Sequence, residues 1–292
     1  MYSLRNTLSR VHAAAARSLL TPSNLGKQGQ QKLLQVACSE ARQQFWWRSS
    51  GTRSAARSNS RESRRWMAVG ASTGAQQQHG TFYEFRTYTI QPSKMADFLK
   101  LTGDNIHLRT AHSELIGYWS VEFGCLNEVF HIWKYGSYVE RSAVRAALAK
   151  EKEWQENYIS KMLPMLISQK SETAYLVPWS EMKTSSTKGV YELVSYQMIP
   201  GGPAVWGQAF QKTVNAHVNV GYCKLIGVFH SEFGLRNKVH TLWWHENGDT
   251  RAAGRRRAHE DVRVVAAVRD GVSYLVSQSN KLLIPTPYSP LK

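Results

Sequence analysis

The feature that most constrains this chain is an internal duplication. Laying residues 105–141 over residues 215–251 without gaps gives identity at 12 of 37 positions, where average composition gives roughly two or three. The identities include Asn105/Asn215, His107/His217, Ile116-Gly117/Ile226-Gly227, Glu122-Phe123-Gly124/Glu232-Phe233-Gly234, Asn127/Asn237, Trp133/Trp243 and Arg141/Arg251. Upstream, Tyr83-Glu84 matches Tyr191-Glu192, and downstream Ser168-Gln169 matches Ser277-Gln278. Self-similarity over such a length means that one structural unit is used twice.

Each copy reads as the same order of elements. Residues 82–90 form a Tyr-, Phe- and Thr-rich strand ended by Pro92, and Ser93 is placed to cap a helix reaching about Ala111. Strands at 115–123 and 128–135 flank 124–127, where Gly124 and Asn127 suit positive φ in a hairpin loop. A charged amphipathic helix is expected from about Val139 to Tyr158, then a last strand near 173–177. The second copy gives strands at 190–199, 225–233, 238–245 and about 281–284. Its helices fall near 204–219 and 250–273, the latter interrupted around 259–261. The order β-α-β-β-α-β is the ferredoxin-like unit, which is an α+β fold.

The third strand shows how the copies must combine. Alternation puts Val129, His131, Trp133 and Tyr135 on one face, with Phe130 and Ile132 on the other. In the second copy Val239, Thr241, Trp243 and His245 oppose His240, Leu242 and Trp244. Both faces carry bulky apolar groups, yet the helices of one unit cover only one face. The other face is expected to meet the second copy. Two tandem ferredoxin-like repeats packed as a dimeric α/β-barrel pseudo-dimer follow.

Charge is uneven. Residues 1–80 hold twelve Lys/Arg and two acids, a net +10 of the chain's +16. On a helical wheel Leu4, Leu8, Val11, Ala15 and Leu19 share an arc of about 80°, with Arg5, Arg10 and Arg17 outside it. Arginines 48, 53, 57, 61, 64 and 65 follow among serines. An amphipathic, Arg- and Ser-rich, acid-poor amino terminus is the pattern of a mitochondrial transit peptide. No apolar run approaches the ~18–20 residues of a membrane-spanning helix. Cys38, Cys125 and Cys223 are too few and scattered for a disulfide framework or a CxxC metal site.

At this level the chain resembles the NipSnap family, closest to its third subgroup. The resemblance rests on Phe82-Tyr83-Glu84-Phe85-Arg86, His107-Leu108-Arg109-Thr110-Ala111-His112, Gly117-Tyr118-Trp119-Ser120-Val121-Glu122-Phe123-Gly124 and Val129-Phe130-His131-Ile132-Trp133-Lys134. Further blocks are Gly189-Val190-Tyr191-Glu192-Leu193, Gly201-Gly202-Pro203-Ala204 and Leu283-Ile284-Pro285-Thr286. It implies a mitochondrial, tandem-barrel protein, placed here in the matrix with a cytosolic pool allowed, and without an established reaction. Some relatives recruit autophagy receptors to damaged mitochondria, and vesicle-traffic roles have been proposed for the family. The organisation expected is a leader at 1–79, a first repeat at 80–183, a linker at 184–188 and a second repeat at 189–292. The expected function is a non-enzymatic adaptor with protein partners, no cofactor, no specific nucleic acid, and homo-oligomers allowed. The alternative is a small-molecule-binding barrel or an oxygenase-like enzyme.

No catalytic or metal motif stands out. His107 and His112 lie five apart on a helix and do not share a face, and HExxH and GxSxG are absent. The polar candidates are therefore the recurrent ones. His107 and His217 are expected to face the sheet, as buried hydrogen-bonded groups or as pocket lining. Glu122 and Glu232 sit beside the hairpin, where turn geometry competes with a ligand carboxylate. Trp133 and Trp243 are expected in the core.

Overall fold

A computed structural model describes residues 80–292 apart from Ser186; the leader read above lies outside the described residues. The first repeat runs β1 (Phe82–Ile90), α1 (Met95–Thr110), β2 (Glu114–Phe123), β3 (Glu128–Tyr135), α2 (Tyr138–Lys150) and β4 (Leu166–Leu176). The second runs β5 (Val190–Met198), α3 (Pro203–Val220), β6 (Lys224–Phe233), β7 (Lys238–His245), α4 (Gly248–Glu260), α5 (Val262–Val272) and β8 (Leu275–Pro285).

The eight strands close into one barrel in the order β1-β3-β2-β8-β5-β7-β6-β4. Within each repeat the order is that of a ferredoxin-like sheet, and the last strand makes the closure. Residues 166–174 of β4 pair with β1, and 173–176 pair with β6 of the other repeat. In the same way β8 pairs first with β5 and then with β2. Closure removes the free sheet edges that either repeat would expose alone.

Alternation sends one side of every strand inward. Tyr83, Phe85, Trp119, Phe130, Tyr191, Phe229, Leu242 and Trp244 are among the residues filling the interior. The rings interlock across the repeats: Trp119 meets Tyr191 at 5.4 Å, and its counterpart Phe229 meets Tyr83 at 5.1 Å. Each such side chain, buried, contributes about 1.5–3 kcal/mol, so the repeats share one interior core. The outward side carries Trp133 and Tyr135 under α1 and α2, and Val239 and Trp243 under the second repeat's helices.

A bulge in β2 and one in β6 explain the repeated Ile-Gly. The register shifts between Leu115 and Gly117, and again between Leu225 and Gly227. A Cβ on Gly117 would lie 2.2 Å from the Trp119 ring, and one on Gly227 would lie 2.9 Å from Phe229. The hairpins repeat too, with Gly124 and Gly234 at φ 112° and 123°, and Asn127 and Asn237 at 57° and 56°.

Three local expectations change. Ser93 caps nothing; a 3-10 turn, Pro92–Lys94, precedes α1, which starts without a side-chain cap. The helix expected through Tyr158 breaks at Glu151, whose extended ψ of 106° matches that of Asp261 (116°) between α4 and α5. Beyond the break, Trp154–Ile159 forms a π-helical turn. The last strands begin earlier than read, because 168–172 and 277–281 are polar runs without an apolar period that nonetheless pair with β1 and β5.

Candidate functional site

The recurrent residues do not converge. His107 is exposed on α1, whereas His217 is half-buried on α3, its Nδ1 3.0 Å from the Tyr222 hydroxyl. Glu122 and Glu232 are exposed at the hairpin ends of β2 and β6. Trp133 and Trp243 are buried on the outer wall of the barrel. The helix ends also differ: α3 stops on Gly221 in the left-handed region, α1 on Ala111 in the right-handed region. In the first repeat the buried basic side chain at this helix end is Arg109 instead. Its guanidinium lies 4.3 Å from the Trp133 ring centroid and donates to Ser113 Oγ and the Tyr135 hydroxyl.

Between barrel wall and helices each repeat retains a cavity. The second-repeat cavity, about 190 Å³, is lined by His217, Trp243, Glu192, Arg251, Arg255 and Cys223 among others. Burial, with Arg255 and His259 nearby, lowers the His217 pKa. Burial also pushes the Cys223 thiol up to about 12, so it stays protonated. The first-repeat cavity, about 270 Å³, is lined by Arg86, Arg109, Arg145, Tyr118, His131 and Trp133 with apolar groups from α1, α2 and the π-helical turn. No carboxylate lines it.

Beside each cavity lies a buried carboxylate that sequence reasoning did not single out. Arg141 donates through Nε and Nη2 to Glu84 at 3.0 and 2.7 Å, and Ser171 donates at 2.8 Å. The counterpart is Glu192 with Arg251 and Asn280. Burial acts to raise both carboxyls, but their hydrogen bonds and neighbouring cations hold each at about 2. The signal was present: Glu84/Glu192 and Arg141/Arg251 are identities of the duplication. Among the described residues no group of three or more His, Cys, Asp or Glu is arranged to hold a metal, and no helix is long and apolar enough to cross a membrane.

The NIPSNAP family model matches twice, over residues 83–181 and 191–290. The chain belongs to the NipSnap family. Human NipSnap homolog 3A is 59% identical over 227 residues, covering 77% of this chain and 92% of that protein. Human NipSnap homolog 3B is 58% identical over 221 residues, covering 75% and 90%. Both place the chain with the third NipSnap subgroup. Among solved structures, a Fusobacterium nucleatum protein named provisionally as a monooxygenase aligns with a TM-score of 0.55 and 9% identity, over 74% of this chain and all of that one. An anthrone oxidase-like protein aligns at 0.52 and 11%, over 71% and 92%. At that identity the likeness is one of fold, an α/β barrel shared by this NipSnap chain.

Proposed function

We propose that this NipSnap chain works in mitochondria by binding protein partners rather than by turning over a substrate. The observation that carries the reading is the repeated exposure of apolar side chains at the two hairpins. Phe123 and Leu126 are 66% and 72% exposed, and Phe233 and Leu235 are 61% and 59% exposed. Single exposed apolar residues are ordinary, but an exposed phenylalanine at the same hairpin position in both copies, each with an exposed leucine in the adjoining loop, is what partner surfaces look like. The ion-paired Glu84 and Glu192 and the protonated Cys223 support binding over turnover, since none is poised as a base or nucleophile. The basic, acid-poor residues 1–80 support mitochondrial import. Partners of the autophagy-receptor type follow from the family resemblance.

Proximity labelling in intact cells tests the reading. The wild-type chain should mark a reproducible set of mitochondrial neighbours. Phe123→Ser with Phe233→Ser should lose part of that set while keeping its melting temperature. An unchanged set, or a cytosolic one, would overturn the proposal.

A further inference from the structure

The duplication supplies an internal control for the first-repeat cavity. Three of its lining residues, Arg86, Tyr118 and His131, correspond by repeat offset to Val194, Val228 and Thr241. All three counterparts are buried in the outer wall. The second repeat therefore shows that this wall needs only two valines and a threonine. In the first repeat each substituted side chain instead brings a buried polar atom without a partner: Arg86 Nε, Tyr118 hydroxyl and His131 Nε2. An unpartnered buried polar group lowers stability, so three on one cavity call for a ligand.

The bond to Trp133 does not by itself require the histidine, whose ring also stacks on Tyr118 at 4.5 Å. His131 Nδ1 accepts the Trp133 indole N–H at 2.6 Å. Thr241 Oγ1 does the same for Trp243 at 2.7 Å. A hydroxyl suffices for the tryptophan, and the imidazole adds a second nitrogen facing the cavity wall. With Nδ1 accepting, the neutral ring carries its proton on Nε2, so that atom is a donor. Burial, with Arg86 and Arg109 nearby, keeps the ring neutral by lowering its pKa well below the ordinary value.

The remaining lining sets the ligand's chemistry. Arg86, Arg109 and Arg145 are cations, and no carboxylate lines the cavity. Glu84 forms a long ion pair with Arg86 Nη1 at 3.8 Å while its oxygens receive Arg141 and Ser171, which leaves Arg86 Nε without a partner. On the other side Trp154 and Tyr158, stacked at 4.5 Å on the π-helical turn, offer an aromatic surface. Such π turns recur at functional sites. We infer that the first-repeat cavity binds a small organic acid, its carboxylate received by Arg86, Tyr118 and His131 and its apolar body lying against Trp154 and Tyr158. The volume of about 270 Å³ falls just under the range of drug-sized sites, which favours a short acid over a full-length fatty acid. The second-repeat cavity lacks these three donors and presents the Glu192 carboxylate, so it is not a second copy of the site.

Calorimetric titration of the whole chain with 3-phenylpropionate, octanoate, 3-phenylpropan-1-ol and inorganic phosphate tests the assignment. At least one of the two acids should bind saturably with 1:1 stoichiometry, and the alcohol and phosphate at least tenfold more weakly. Tyr118→Phe and His131→Thr, the latter borrowing the second repeat's residue, should each weaken that acid at least tenfold. Tyr118→Phe should melt at or above the wild-type temperature, because it removes an unpartnered polar atom and keeps the ring. His131→Thr, which also gives up the stacking on Tyr118, should still unfold in one cooperative transition. Equal binding of acid and alcohol, preference for phosphate, no binding of either acid, or variants with undiminished affinity would overturn it.

Discussion

Lys281 of the second repeat reaches across to Glu128 of the first, its Nζ 2.5 Å from a carboxylate oxygen. At the pseudo-equivalent junction, Lys238 of the second repeat meets Glu172 of the first at 2.9 Å. By the repeat offsets Glu172 corresponds to Lys281 and Glu128 to Lys238. The acid belongs to the first repeat at both junctions, and the base to the second. A barrel made from two first repeats would set Glu172 against Glu128 twice. Two second repeats would set Lys281 against Lys238.

Like charges at an interface cost several kcal/mol. Residues 80–183 and 189–292 expressed separately should therefore pair with each other far better than with themselves. Glu128→Lys in the isolated first repeat should create a complementary junction with Glu172 and drive a symmetric dimer. Sedimentation velocity on each half, the mixture and the variant checks this. Self-association of the unaltered halves as strong as the mixed complex would remove the charge argument.

Acid should weaken the barrel in a defined window. Glu84, Glu172 and Glu192 are held at about 2 against an ordinary 4.5, since hydrogen bonds and cations outweigh their burial. A carboxyl lowered on folding stabilises the native state above its unfolded pKa and loses that contribution as pH falls towards its folded pKa. Each such lowering corresponds to on the order of 3 kcal/mol. Urea midpoints should fall gently below about pH 6.5, where unfolding lets His131, His217, His230 and His240, kept neutral by burial, take up protons, and steeply from about 4.5 to 2. A Glu84→Gln chain, lacking one of these groups, should start less stable and show a shallower fall.

The architecture was legible because its signals are periodic and doubled. Bulky residues on both faces of residues 128–135 required a cover on each side, and the barrel interior and helix layers supply them. What escaped had no hydrophobic period. The closing strands begin in Ser, Gln and Lys runs, and the first-repeat helix break sits at an ordinary acid, Glu151, whereas its counterpart at Asp261 lies within the interruption expected at 259–261. The cavity donors also escaped, because duplication draws attention to identities. Arg86, Tyr118 and His131 matter where the copies differ.

The histidines make the same point experimentally. Sequence symmetry treats His107 and His217 alike, with a buried hydrogen-bonded group lost in either alanine variant. In the structure His107 is exposed and His217 is half-buried beside Tyr222. His107→Ala should change stability by no more than about 0.5 kcal/mol. His217→Ala should cost about 1 kcal/mol for its hydrogen bond. Chemical denaturation of the two variants decides between symmetry and structure.

Gly117 is the sharpest test of the interior packing. The β2 bulge turns this residue towards the barrel core, and the Trp119 ring lies directly over it. A methyl group there would sit 2.2 Å from the ring, well inside contact distance. Trp119 cannot yield freely, since it is fully buried and packed against Phe130 at 5.8 Å and Tyr191 at 5.4 Å. Overpacking of this kind costs about 1–3 kcal/mol, and Gly117→Ala should reach the top of that range. Gly227→Ala, with 2.9 Å to the smaller Phe229 ring, should cost less. The second repeat also names the suppressor. Adding Trp119→Phe to Gly117→Ala copies the Phe229 arrangement and should recover part of the loss, a coupling measurable as a double-mutant cycle in urea. Additive costs would mean that the ring over Gly117 is not what requires the glycine.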